Sequence, residues 1–297
     1  MKLLQWTWLL LVLGSAQVDA DTLRWQWVAG DVYEIKLRST TDIAVTAEDQ
    51  ELIYKNEIVV IGQWTVVELS SAGVARLNWQ VSRVQVNPQA KKDDQLIMVD
   101  TEVVAETQQQ KTLQATLQGL LQKRFELLVN NTARLIEIKE FRQNSAASGN
   151  TPPGNPVDSK KVRLPQVFNS QGVARAFKHV FVQFPSTVVN VGDAWRPTQQ
   201  LNTSGSGDMT VYRYLGSDGQ KPQIKFSSNI QFSDPDQPQI DVKTKQQQGS
   251  IFINVAERFV EKVVVKLELE TVTNDDGQQI HVNHTESNVI ELKKLLR

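Results

Sequence analysis

Apolar and polar residues alternate through most of the chain, and a period of two places one set of side chains on one face of an extended strand. Leu23, Trp25 and Trp27 follow this rule, Gly30-Asp31 signals a turn, and Tyr33, Ile35 and Leu37 resume the alternation. The pattern recurs in Trp64-Thr65-Val66 and in Ala75, Leu77, Trp79 and Val81, with Ser70-Ser71-Ala72-Gly73 as the hairpin connection between them. Val84 and Val86 fall on the opposite parity from Val81, which predicts a bulge near Ser82-Arg83. The chain to about residue 98 therefore reads as an antiparallel meander.

Two stretches keep a helical period instead. Residues 100–124 carry Leu113, Leu117, Leu120 and Leu121 as one amphipathic stripe, with Asp100 or Thr101 placed to cap its start. Residues 170–182 carry Val173, Phe177, Val180 and Phe181, with Phe184 beyond and Pro185 closing the element. His179 falls on the polar side of that helix and is expected to be exposed. Strand character returns at 125–141 around a turn at Asn130-Asn131, at 188–195, near Tyr212 and Tyr214, and at 224–232. It ends in long strands at 250–261, 262–273 and 281–292, the last two joined by Asn274-Asp275-Asp276-Gly277.

Residues 143–160 hold three prolines and two glycines among small polar residues, the composition of a linker. It divides the chain into β-rich halves at 21–142 and 161–297. A faint repeat supports the division: Val129 to Glu137 lies over Ile253 to Glu261, and Gly30-Asp31 corresponds to Gly192-Asp193. The expected fold is α+β, mainly antiparallel β-sheet in two related halves, each with about one amphipathic helix. Whether the two sheets join is left open by the pattern.

Composition narrows the chemistry. The 297 residues include 32 Lys+Arg and 33 Asp+Glu for a net charge of −1, three histidines and no cysteine. That balance argues against a nucleic-acid partner, and the missing thiols exclude disulfides, thiolate zinc and a cysteine nucleophile. At the N-terminus Lys2, the apolar run from Trp6 to Leu13, and Val18-Asp19-Ala20 form a signal-peptide pattern over 1–20 with cleavage after Ala20. The run is about half the ~20 residues needed to cross a bilayer. The expected product is secreted or periplasmic and does not span the membrane after cleavage.

Three motifs carry a resemblance: Leu23-Arg24-Trp25-Gln26-Trp27-Val28-Ala29-Gly30-Asp31-Val32-Tyr33, the mid-chain Val189-Asn190-Val191-Gly192-Asp193-Ala194-Trp195, and the strand from Gly249. In these the chain resembles a family of exported, β-rich bacterial proteins that share a domain of unknown function. The resemblance implies a location in the envelope or outside the cell. It carries over no catalytic residue.

Candidate sites are few. His281, His284 and Glu286 are the densest set of metal-ligand types, but in a strand only His284 and Glu286 share a face, which is too few for a metal site. Ser204-Gly205-Ser206-Gly207-Asp208 lacks the strand and helix of a phosphate cradle, and Asp234, Asp236 and Asp241 lack the spacing of a calcium loop. No catalytic residue, metal or cofactor is assigned. The aromatic strands carry more: Trp25, Trp27, Trp79, Leu117, Leu121, Phe177, Phe181 and Trp195 are the candidate walls of an apolar groove between sheet and helix. The expected function is an exported, non-enzymatic protein that binds or carries a hydrophobic small molecule or lipid. The alternatives are a structural or protein-interaction component of the envelope, and a hydrolase whose site gathers distant Asp, Glu and His.

Overall fold

The alternating segments pair into one antiparallel sheet of twelve strands. These are β1 (Val32–Ala47), β2 (Gln50–Leu69), β3 (Ala75–Ala90), β4 (Val99–Asp100), β5 (Lys123–Val129), β6 (Leu135–Arg142), β7 (Ala194–Trp195), β8 (Met209–Gly216), β9 (Gln223–Asn229), β10 (Ile240–Asn254), β11 (Phe259–Asp275) and β12 (Gln278–Leu295). Among the described residues two helices accompany them, α1 (Gln108–Leu121) and α2 (Ser170–Phe177). The computed structural model describes residues 25–47, 50–90, 98–142, 169–197, 209–217, 221–229, 240–275 and 278–295. The signal-peptide segment 1–20, Leu23, the 143–160 stretch, Ser204 to Asp208, Asp234 to Pro238 and Asp276-Gly277 lie outside the described residues.

The strand order is β6-β5-β3-β2-β1-β12-β11-β10-β9-β8-β7, with β4 beside β3. The strands of 21–142 and those of 161–297 thus lie side by side in a single large sheet. β1 pairs with β12 along its whole length, from Val32↔Leu295 to Ala47↔Ile280, so the first and last strands stand together mid-sheet. Both carry buried inner rows, Ile35 and Leu37 on one and Ile290 and Leu292 on the other. Left as edges, each would expose that row and a ladder of unpaired amides. Among the described residues the ends of the strand order are β6 and β7.

The sheet curls almost into a barrel. β6 and β8 are nine neighbour steps apart, about 43 Å in a flat sheet at ~4.8 Å per step. Yet α2, eight residues long and so ~12 Å, packs against β6, while His179 just beyond it lies 3.2 Å from the Tyr212 hydroxyl of β8. Only a strongly bent sheet brings both within reach. Its concave face gathers one continuous core that runs from Leu127 of β5 through Trp64, Ile35, Ile290 and Ile251 to Tyr214 of β8.

Local details sharpen or correct the sequence reading. The register between β2 and β3 shifts at Ile61/Gly62 and skips Ser82, which is the predicted bulge. α1 starts later than the leucine stripe implied: Thr107 Oγ1 accepts from the Gln110 amide while Gln110 Oε1 accepts from the Thr107 amide, a reciprocal capping box. Asp100 instead binds the Arg83 guanidinium through both oxygens, at 3.1 and 2.6 Å. α2 ends at Phe177, not 182. Beyond it the chain turns tightly, with the Val180 and Phe181 amides both donating to the Phe177 carbonyl. That turn changes the direction of His179, which is 2% exposed rather than solvated. Trp25 and Trp27 belong to no strand, although both are buried.

The two Gly-Asp turns are built alike. Gly30 (φ 86°) and Gly192 (φ 94°) occupy the left-handed region that favours glycine. Gly30 donates to the Val66 carbonyl and the Val66 amide donates to Asp31; Gly192 donates to Tyr214 and the Tyr214 amide donates to Asp193. Two residues before Val66 and Tyr214 stand Trp64, paired with Trp79, and Tyr212, paired with Phe226. The β5–β6 and β10–β11 hairpins also shift register at matching places, Leu128/Val129 and Phe252/Ile253.

Candidate functional site

The concave face presents two cross-strand aromatic pairs, and the α2 segment seats one ring on each. Trp64 and Trp79 meet edge to face at 6.4 Å, and Phe177 lies against both, at 4.7 and 5.2 Å. Tyr212 and Phe226 meet at 6.0 Å, and His179 stacks on Phe226 at 3.8 Å with 15° between planes. Phe181 then stacks on Trp64 at 5.0 Å and touches Trp25 and Trp27, which stack on each other at 4.4 Å. Such offset and edge contacts suit the ring quadrupoles and add to the burial of area.

Two glycines make room for the rings. A Cβ on Gly62 would run into the Trp79 ring and the Gln80 carbonyl, and one on Gly249 into the Phe226 ring and the Val264 carbonyl. Strand glycines of this kind mark places where another group lies directly on the backbone.

The five described tryptophans divide by what their N–H groups do. Trp25 Nε1 donates to the Val180 carbonyl at 3.3 Å, and Trp195 Nε1 donates to the Gln183 carbonyl at 3.0 Å. Both bonds hold the segment that follows α2. Trp27, Trp64 and Trp79 are buried with no acceptor for Nε1 among the described residues. An indole can only donate, and a buried donor left unpaired costs about 1–3 kcal/mol.

Among the described residues, His179 and Tyr212 are ionisable side chains buried inside the curl, and both are uncharged. Burial pushes the His179 pKa down to about 3, Lys178 adding to the effect and the Gln247 side chain opposing it, so the ring is neutral. Burial raises the Tyr212 hydroxyl well above its usual range. At the rim Lys294 Nζ holds Asp31 at 2.7 Å and lies over the Tyr33 ring. Burial, then Asp31, push the Tyr33 hydroxyl up as well. Arg83, with Gln85 beside it, holds Asp100 at about 2, fixing β4 against β3.

The predicted groove residues take three positions. Trp25, Trp27, Trp79, Phe177 and Phe181 form one aromatic cluster with Trp64 at its centre. Leu117 is fully buried and Leu121 partly buried in the same core, reaching it from α1. Trp195 stands apart, stacked on Tyr212 at 5.8 Å and beside Phe184 at 6.0 Å. Pattern reading omitted Trp64, Phe226, Tyr212 and His179, whose strand pairings or turn geometry it does not give. His284 and Glu286 share the inner face of β12, 4.0 Å apart. Among the described residues no three His, Cys, Asp or Glu side chains gather as a metal set.

No curated protein matches the chain. Similar solved structures include an outer membrane channel from Pseudomonas putida F1, 6% identical over 92% of this chain and 98% of that one, TM-score 0.30. DynF from the dynemicin biosynthesis pathway of Micromonospora chersina is 8% identical over 96% and 88%, TM-score 0.21. The MucA/MucB complex of Pseudomonas aeruginosa is 10% identical over 89% and 94%, TM-score 0.15. Likenesses at these scores carry no argument. A sequence family does match: residues 72–257, from the β2–β3 turn into the β10–β11 turn, fit the Family of unknown function (DUF6263). That span includes the Val189 to Trp195 motif and Gly249, and covers more than half of the 297 residues; the chain belongs to this family.

Proposed function

We propose that the protein binds an apolar ligand in the interior of the curled sheet, and that the segment from α2 to Phe184 is a plug standing where the ligand goes. The observation that carries this reading is the seating of Phe177, Phe181 and His179 on aromatic pairs of the concave face by one short segment. Full burial of a phenylalanine is worth about 1.5–3 kcal/mol, so the two phenyls contribute roughly 3–6 kcal/mol to keeping the plug in. A ligand bound with micromolar affinity corresponds to about 8 kcal/mol. An apolar molecule that replaces the plug has to outweigh these terms together with the burial of Val173, Val180, Val182 and Phe184 and the two indole bonds that hold the segment.

The rest of the reading belongs to the same proposal. The protein is exported with a cleaved signal over 1–20, works in the periplasm or outside the cell, and carries a hydrophobic small molecule or lipid without chemistry. Among the described residues no helix is long and apolar enough to cross a membrane.

Native mass spectrometry of the protein isolated from its own envelope, together with titration by the apolar fluorophore N-phenyl-1-naphthylamine, tests it. The expected results are a co-purified apolar mass and saturable fluorophore binding that quenches tryptophan emission. A ligand-free protein that binds no fluorophore would overturn the reading. A second reading, contact with an envelope protein, draws on the outermost strand β6, which exposes Ile136 and Phe141. A stable protein partner recovered from the envelope with no apolar mass would favour it.

A further inference from the structure

The plug is an incomplete substitute for a ligand. It offers main-chain carbonyls to two indoles, Trp25 and Trp195, but only phenyl rings to the others. Trp27, Trp64 and Trp79 are 6%, 0% and 1% exposed and their N–H groups have no acceptor among the described residues. These three lie in one chain of ring contacts, with Trp25 between Trp27 and Trp64 at 4.4 and 6.3 Å and Trp79 at 6.4 Å beyond. Native proteins rarely leave buried donors unpaired, and such donors point to a group that completes them.

The chemistry of that group is constrained from both sides. A pure hydrocarbon would cover the rings and leave the donors as they are. An anion would need a positive charge to offset its desolvation. The buried polar residues of the described chain are Asp31, Asn56, His179, Thr210 and Ser228. None is cationic, since His179 is neutral, and Lys294 at the rim already holds Asp31.

We infer that the ligand is an amphiphile that brings uncharged oxygen acceptors to the indole N–H groups of Trp27, Trp64 and Trp79: an acyl ester, rather than a hydrocarbon or a free fatty carboxylate. The inference rests on the reading of the interior as a ligand site. An ester has two acceptor oxygens and no charge, and its chain supplies the apolar surface that the plug's phenyls now cover.

The test uses the chain from residue 21 with N-phenyl-1-naphthylamine bound, competed at pH 8 by methyl laurate, dodecane and laurate. Methyl laurate should displace the fluorophore at a concentration at least about tenfold lower than either competitor, the discrimination expected for one well-made buried hydrogen bond. At least one of the indole ¹H–¹⁵N resonances of Trp27, Trp64 and Trp79, assigned by single Trp→Phe variants, should move downfield with methyl laurate, and none should move so with dodecane. Whatever its own effect on fluorophore affinity, the Trp→Phe variant at an indole whose resonance moves should bring the ester-to-alkane ratio toward one; if that variant fails to fold, the resonance shifts in the parent protein make the test. Equal displacement by dodecane, tighter displacement by laurate, or unmoved resonances overturn the ester assignment and leave the ligand site standing. Failure of the fluorophore and all three competitors to bind removes the site and this inference with it.

Discussion

The indole N–H of Trp25 donates to the main-chain carbonyl of Val180, joining points 155 residues apart in the sequence. Trp25 enters just ahead of β1 and Val180 leaves just after α2, so the bond ties the start of the sheet to the plug.

Trp25→Phe keeps an aromatic ring and deletes this donor, leaving a buried carbonyl without its partner. The expected loss is about 1–3 kcal/mol of stability. It should be accompanied by faster hydrogen exchange at the amides of Val180 and Phe181, which close the turn on Phe177. Exchange at the β1–β12 ladder should change little beyond the global loss. Uniform acceleration across the protein would mean that the bond holds the whole fold and not the plug.

The two strand glycines give a sharper contrast. Gly62→Ala and Gly249→Ala each force a methyl into a ring and a neighbouring carbonyl, and overpacking of this kind costs about 1–3 kcal/mol or more. Gly119→Ala, in α1 with open space around its Cβ, should stabilise by about 0.5–1 kcal/mol from helix preference alone. Urea midpoints of the three variants should therefore lie on opposite sides of the parent. A tolerated Gly249→Ala would show that Phe226 does not need to lie on bare backbone.

How much of this was legible in the sequence depends on which interaction sets the geometry. Alternation in Tyr33, Ile35 and Leu37 and in Leu77 and Trp79 gives the strands and their inner faces, because the pleat is a local property. The parity break at Val81/Val84 gives the bulge for the same reason. The pairing of β1 with β12 is not local, and nothing within either strand names its partner. His179 was misplaced because a helical wheel holds only while the helix does, and the turn after Phe177 ends it. Thr107 was overlooked as a cap since Asp100 is an equally good capping residue by type, and only the position of Arg83 shows that Asp100 is engaged elsewhere. The aromatic groove residues were found by type, but Trp64, their common neighbour, emerges only once β2 and β3 are paired.

His179 should make the protein acid-sensitive at mild pH. Its folded pKa of about 3 lies below the ordinary value of 6.5, so burial of the neutral ring contributes stability in full above about pH 6.5. That contribution is lost as pH falls toward 3, by about 1.4 kcal/mol per unit, or about 3 kcal/mol by pH 4.5. Asp100, at about 2 against 3.8, adds its own loss only below about pH 4. Urea unfolding between pH 7.5 and 3 should show the first slope disappear in His179→Gln, while Asp100→Asn flattens only the lower part. An unchanged slope in His179→Gln between pH 6.5 and 4.5 would assign the acid sensitivity to other groups.

The sheet topology makes a prediction about cutting the chain. Residues 21–142 carry β1 to β6 and the Trp64–Trp79 pair, while residues 161–297 carry α2, whose Phe177 covers that pair, and β12, which completes β1. Alone, the first segment would expose an uncovered aromatic face and a sixteen-residue strand edge, the combination that drives aggregation rather than folding. The second would present Phe177 and Phe181 with no tryptophans to receive them. Produced together, the two should associate one to one through β1 and β12 and recover the circular dichroism and cooperative melting of the intact protein, since the cut falls between β6 and α2 and severs no strand pairing among the described residues. Cooperative melting by either segment alone would show that β1–β12 pairing joins two finished domains, whereas joint recovery shows that it completes one.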